Sequence, residues 1–217
     1  MSNEKIIEKT VAYVQQHLWK NDASHDWWHV YRVWKTAKHI AQKEDVNMLV
    51  VELWALLHDI ADHKFYDGDE EIWPATAKAF VESLWLDKSI VDGVVNIVKY
   101  ISFKGGTTEW KYTSPELSVV QDADRLDAVW AIWIARTFAY GWYKWRELYN
   151  PHIPPMIQMT KEEYMKSEAP TINHFYEKLL LLKDKMNTMT GRQIAEHRHT
   201  YMEWFLQEFY WEREGTL

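Results

Sequence analysis

The sequence predicts an all-α protein, and three observations carry that reading. Apolar residues recur at helical spacing through most of the chain, as on the buried face of an amphipathic helix. No segment of strict two-residue alternation, the mark of a half-buried strand, competes with them. Helix starts are also legible. Ser114-Pro115-Glu116 sets a cap, a proline at the first helical position and an acid in the first turn, and Thr160 with Glu163 forms a capping box.

Taken in order, Ile6, Ile7, Val11, Val14 and Leu18 define a helix from about Asn3 to Leu18. Trp19 to Ser24 reads as a loop with cap-forming residues at its end. A second helix is expected from about His25 to Glu44, with Val30, Val33, Trp34, Ala37 and Ile40 as its apolar stripe. His29 and Arg32 share one face of it, being three apart. The third helix, Asn47 to Ala61, is an apolar run that ends in His58-Asp59 and leads into Asp62, His63, Lys64, Tyr66 and Asp67. So many ionisable groups after a core helix call for partners, because buried polar groups are costly unless paired or bound to a metal. Asp67-Gly68-Asp69 is a turn.

A fourth helix is expected over about Glu70 to Leu86, with Pro74 in its first turn, and Asp87 can cap a fifth ending near Ile101. Ser102 to Thr108 is a glycine-bearing loop in which Lys104, beside Gly105 and Gly106, is able to approach a phosphate. The helix opened by Ser114 is expected to reach about Tyr140 and stop near Gly141. It carries Asp122, Asp124 and Asp127 among apolar neighbours, with Asp124 and Asp127 on one side and Asp122 on another. Asn150 to Pro155 is a proline-broken loop, and two long helices follow, about Thr171 to Met186 and Gly191 to Glu214.

The 217 residues, 47% hydrophobic and 26% charged, suit one globular domain over 1–217, with a metal-binding core at about 24–140 and a C-terminal helical part at about 150–217. The absence of cysteine excludes disulfides, thiolate metal sites and cysteine nucleophiles. A net charge of −7 argues against duplex nucleic acid as a partner. No apolar run reaches the roughly 18–20 residues of a membrane span, and the N-terminal segment carries charges where a signal peptide is apolar. A cytoplasmic location is the expectation, and a homodimer is compatible with it. The chain holds 14 tryptophans against 7 glycines, and a core built of large aromatics is the expected use of them.

Together, His29, the pair His58-Asp59 and Asp124 offer two nitrogens and two carboxylates from three helices. Such a set can bind one divalent ion of the Mn, Fe, Zn or Ni type and leave positions for water and substrate. The pattern resembles the HD superfamily of metal-dependent phosphohydrolases. The residues that carry the resemblance are His29 within Asp26-Trp27-Trp28-His29-Val30-Tyr31-Arg32-Val33, the pair His58-Asp59, and Asp124 within Asp122-Ala123-Asp124-Arg125-Leu126-Asp127. Within that superfamily the chain is similar to the bacterial YpgQ-type branch. That likeness extends to Ile60-Ala61-Asp62-His63-Lys64-Phe65, Ile101-Ser102-Phe103-Lys104-Gly105-Gly106, Ile134-Ala135-Arg136-Thr137-Phe138 and Thr171-Ile172-Asn173-His174-Phe175-Tyr176.

The resemblance implies an HD-domain helical bundle with additional C-terminal helices, acting on a small-molecule nucleotide. It implies His29, His58, Asp59 and Asp124 as ligands of a divalent metal, foremost Mn or Fe, with Ni, Mg or Zn as alternatives. Asp62 matches an acid that assists the attacking water, and Asp67 matches a further acid in the following loop. Arg32, Lys64 and Lys104 are the cations expected to neutralise phosphate, and His63, Asp127 and His174 are further candidates for contact with substrate. The expected reaction is pyrophosphohydrolysis of a nucleoside triphosphate, with monophosphatase, phosphodiesterase or non-catalytic nucleotide binding as alternatives.

One departure stands out. The resemblance implies glycines after the Asp122–Ala128 segment, where Trp130 and Trp133 stand, and near Trp142 and Trp145. Trp85 likewise occupies a position that suits a helix-ending glycine. The expected consequence is either an adjusted core or a narrower substrate pocket, because a large side chain replaces none.

Overall fold

The most apolar stretch of the chain forms its central helix. Residues Leu49 to Leu57 are all buried in α3 (Met48–Leu57). A side chain such as Leu53 or Leu56, fully shielded from water, stabilises the folded state by about 1.5–3 kcal/mol. The helix begins where the Asn47 side chain accepts the amides of Leu49 and Val50, satisfying donors that have no partner within the helix. The structure is a computed structural model and describes residues 1–18, 26–60, 72–101 and 113–216. Among these, every regular element is helical.

The chain forms two compact units, Met1–Asp124 and Arg125–Leu217. In the first, α1 (Asn3–Leu18) and α2 (Trp27–Ala41) pack on α3. So does α5 (Lys88–Ile101), which in turn packs on α4 (Ile72–Ser83). Tyr13 of α1 stacks on Phe80 of α4 with ring centroids 3.9 Å apart. Glu52 is a carboxylate buried within the apolar α3. Trp34 Nε1 donates to it at 2.8 Å and Lys38 Nζ lies at 3.3 Å, which is the pairing a buried charge requires. Ser114 caps α6 (Pro115–Asp127) through the Leu117 amide, and Glu116 accepts the Asn47 amide at 2.9 Å, joining the starts of α6 and α3.

The second unit holds α7 (Ala131–Tyr143), α8 (Lys161–Lys166), α9 (Asn173–Glu177), a 3₁₀ helix (Leu179–Lys185) and α10 (Met189–Glu214). Its core gathers Val129, Ile134, Ile172, Phe175, Leu179, Met202 and Leu206. Phe138, Phe205 and Phe209 pack edge-on and tilted around it. The Thr160–Glu163 capping box is present: Glu163 Oε2 accepts the Thr160 amide at 2.7 Å and Thr160 Oγ1 accepts the Glu163 amide at 3.2 Å. The hydrogen bond from the Thr160 amide holds the Glu163 carboxyl below its ordinary range. Gly141 lets α7 approach Thr171, since a Cβ at that position would lie 2.2 Å from Thr171 Oγ1.

Three expectations are corrected. The helix from Ser114 does not run to Tyr140; it ends at Asp127, and the chain turns at Trp130 before α7 starts. The reason is local. The amides of Ala128 and Val129 bond three residues back, tightening the last turn. The Arg198 guanidinium takes the Leu126 carbonyl at 2.7 Å, so a helix end is satisfied there. The expected helix over Thr171–Met186 divides into α9 and the 3₁₀ helix at Lys178, whose φ of −142° leaves the helical region. Carbonyls at the end of that segment bond to guanidinium groups, Lys185 to Arg125 and Met186 to Arg192. Finally, the tryptophans do not mainly build the core. Trp54 is fully buried, but Trp28, Trp85, Trp130, Trp142, Trp145, Trp204 and Trp211 are exposed.

Candidate metal centre

Two helix ends in the first unit bring imidazoles together. Asp26 caps α2, its Oδ1 accepting the His29 amide at 2.8 Å, so the third residue of that helix is held by its start. Asp26 is thus a cap, a role legible in the sequence as an acid three residues before His29. His58 is the C-cap of α3. Its Nδ1–H donates to the Ala55 carbonyl at 2.7 Å, and its ring stacks on Trp54 at a centroid distance of 5.3 Å. With the proton committed to Nδ1, the neutral ring presents the Nε2 lone pair.

The two Nε2 atoms of His29 and His58 lie 3.1 Å apart. Asp59 Oδ2 is 3.3 Å from His29 Nε2 and 3.6 Å from His58 Nε2. His29, His58 and Asp59 each offer one ligand atom within 4.8 Å of the others. Asp124 Oδ1, from α6, lies 3.6 Å and 3.9 Å from the same two nitrogens. The histidines are buried, Asp59 is half-buried, and the Asp124 side chain is 44% exposed, so the cluster is closed on the histidine side and open beside Asp124.

The donor set fits a divalent cation. A single proton can bridge two imidazoles, whereas a divalent ion engages both nitrogens and both carboxylates at once. Two nitrogen and two oxygen donors, without sulfur, suit a first-row transition metal. The hydrogen bond from His58 to Ala55 is the outer contact that fixes the orientation of a ligating ring. The structure therefore brings together the four residues expected as ligands, three tightly and Asp124 at the edge.

The remaining candidates fall elsewhere. Arg32 is half-buried on α2, three residues from His29. Asp62, His63, Lys64, Asp67 and Lys104 lie outside the described residues. Asp127 and His174 belong to the second unit. There, burial lowers the Arg198 guanidinium pKa, opposed by the charge of Asp127. Burial, then the charges of Lys178 and Arg146, hold the His174 imidazole down to about 4, so it is neutral at pH 7. Trp54 and Ala55, which support His58, were not singled out by residue type; an apolar neighbour and a backbone carbonyl leave no motif.

Comparison with known proteins agrees with this geometry. The HD domain family model matches residues 27–129, a span that contains all four clustered residues. YpgQ of Bacillus subtilis strain 168, an uncharacterized protein, is 34% identical over 216 residues, covering 96% of this chain and 94% of its own. The crystal structure of an HD-superfamily hydrolase from Bacillus thuringiensis is 40% identical, with a TM-score of 0.81 over 98% of this chain and 99% of that one. The B. subtilis YpgQ structure in complex with ADP is 32% identical, with a TM-score of 0.72 over 96% of this chain and 95% of that one. The chain belongs to the HD superfamily of metal-dependent phosphohydrolases.

Proposed function

We propose that the protein is a nucleoside triphosphate pyrophosphohydrolase. The observation that carries the phosphohydrolase chemistry is the convergence of His29 Nε2, His58 Nε2 and Asp59 Oδ2 within 4.8 Å, with Asp124 beside them. The nucleotide as substrate is supported by the ADP complex of the B. subtilis relative. Bound by these four residues, a divalent ion, Mn or Fe by donor type, supplies Lewis acidity and brings the pKa of water toward neutrality.

The chain's own groups do the rest. His58, held by Ala55, keeps its Nε2 lone pair directed at the cluster. Asp62 accepts a proton from the attacking water or returns it to the leaving oxygen, and Asp67 is the second acid of that segment. Arg32, Lys64 and Lys104 neutralise the polyphosphate, and His63 is a further polar contact; several cations match the several charges of a triphosphate. The expected setting is the cytoplasm.

Product analysis tests this. With Mn²⁺ added, a nucleoside triphosphate should yield a nucleoside monophosphate and pyrophosphate. Orthophosphate released from a monophosphate, with no pyrophosphate from any triphosphate, would replace the proposal with a monophosphatase. Turnover of cyclic nucleotides alone would replace it with a phosphodiesterase.

A further inference from the structure

Three tryptophans in this fold hold backbone conformations that belong to glycine. Trp85 and Trp145 each have φ 55°, the left-handed helical region, and Trp130 has φ 136° with ψ −166°. A side chain with a Cβ is crowded against its own backbone in the left-handed region. The region of Trp130 is essentially restricted to glycine.

The hydrogen bonding at these sites is that of a glycine stop. After α7, the Trp145 amide bonds to the Trp142 carbonyl at 3.0 Å and the Arg146 amide to the Gly141 carbonyl at 2.9 Å. This pair of bonds ends helices at a left-handed residue, which is usually glycine. The same pair closes α10, where the Gly215 amide reaches Glu212 and the Thr216 amide reaches Trp211, both at 3.1 Å. There the left-handed residue, with φ 63°, is a glycine. After α4, the Trp85 amide bonds to the Glu82 carbonyl at 3.1 Å in the manner of Trp145 and Gly215.

Two of these three indoles bury almost none of their surface. Trp85 is 94% exposed and Trp145 is 88% exposed. The Trp145 ring lies tilted against the exposed Trp142, at 6.2 Å. Trp130 packs partly, edge-on to His197 and near the Arg198 guanidinium. Trp54 and Trp34 form a different population: one fills the α3 core and the other donates to Glu52. Among the described residues, Trp34 and Trp54 thus serve the fold as tryptophans, while Trp85, Trp130 and Trp145 stand where the backbone asks for glycine.

We infer that positions 85, 130 and 145 are glycine positions of this fold, and that tryptophan stands there through one decoding ambiguity. The codon UGA is read as tryptophan in some genetic codes and as glycine in others, whereas UGG is the ordinary tryptophan codon. One codon with two readings places the same wrong residue at several unrelated glycine sites, while leaving true tryptophans such as Trp54 in place.

Two measurements test it. In the full-length chain, Trp85→Gly and Trp145→Gly should each raise the thermal midpoint, by about 1–4 °C, because strain is relieved and little burial is lost. Trp130→Gly should shift it the same way, and Trp54→Gly should lower it. A lower midpoint for either Trp85→Gly or Trp145→Gly overturns the glycine assignment. The gene should carry UGA at 85, 130 and 145 and UGG at 34 and 54, and peptide mass spectrometry of the protein from its source organism should find glycine at the three sites. UGG codons there, or tryptophan in those peptides, overturn the decoding explanation.

Discussion

The two units differ in how they gather their buried polar groups. In the first, His29, His58 and Asp59 converge on one point and Glu52 is answered by Trp34 and Lys38, while Trp54 Nε1 alone among its described residues is a buried side-chain polar atom without a hydrogen-bond partner. In the second, Thr137 Oγ1, Thr171 Oγ1 and His199 Nδ1 are buried without a hydrogen-bond partner, spread through an aromatic core. Buried polar atoms gathered with complementary donors form a site, whereas scattered ones only lower stability. The contrast sets the converging metal-ligand cluster in the first unit and most of the partnerless buried polar atoms of the described residues in the second.

The contrast can be broken most sharply at His58. His58→Ala removes one of two converging nitrogens, so metal content should fall from near-stoichiometric to background and hydrolysis by at least about 100-fold. Elemental analysis and a product assay measure this, with far-UV circular dichroism showing retained helix. Metal content equal to the parent would remove His58 from the ligand set.

A smaller effect is expected from acid in the second unit. The folded His174 pKa is about 4, below the ordinary 6.5, so the neutral ring is the form that folding favours. Its stabilising contribution is complete above pH 6.5 and declines as pH falls from about 6.5 to about 4, because the unfolded chain binds the proton first. Denaturant midpoints across that range should drop, and His174→Asn should flatten the drop. An identical pH profile in the variant would show that other groups govern it.

The smallest effect is steric. Gly141→Ala would drive a methyl group into Thr171 Oγ1, 2.2 Å away, and should destabilise the fold by about 1–3 kcal/mol. Thermal or urea unfolding measures it. A neutral result would mean that α7 and Thr171 separate freely, contrary to the packing of the second unit.

Much of this molecule follows from local pattern. The α3 run, the Ser114-Pro115 start and the Thr160–Glu163 box each satisfy their own backbone within a few residues, so each is legible without knowledge of the rest. The four clustered residues were legible too, because imidazoles and carboxylates attached to apolar helices need a common partner and their order and spacing resemble the HD superfamily. What only long-range contact decided lies where a distant side chain competes with the local preference. Arg198 takes the Leu126 carbonyl from 72 positions away and helps end α6. Arg125 takes the Lys185 carbonyl 60 positions on, where the 3₁₀ helix ends. Helical periodicity extends through both places, since it records which faces are apolar and not where a remote guanidinium meets a carbonyl.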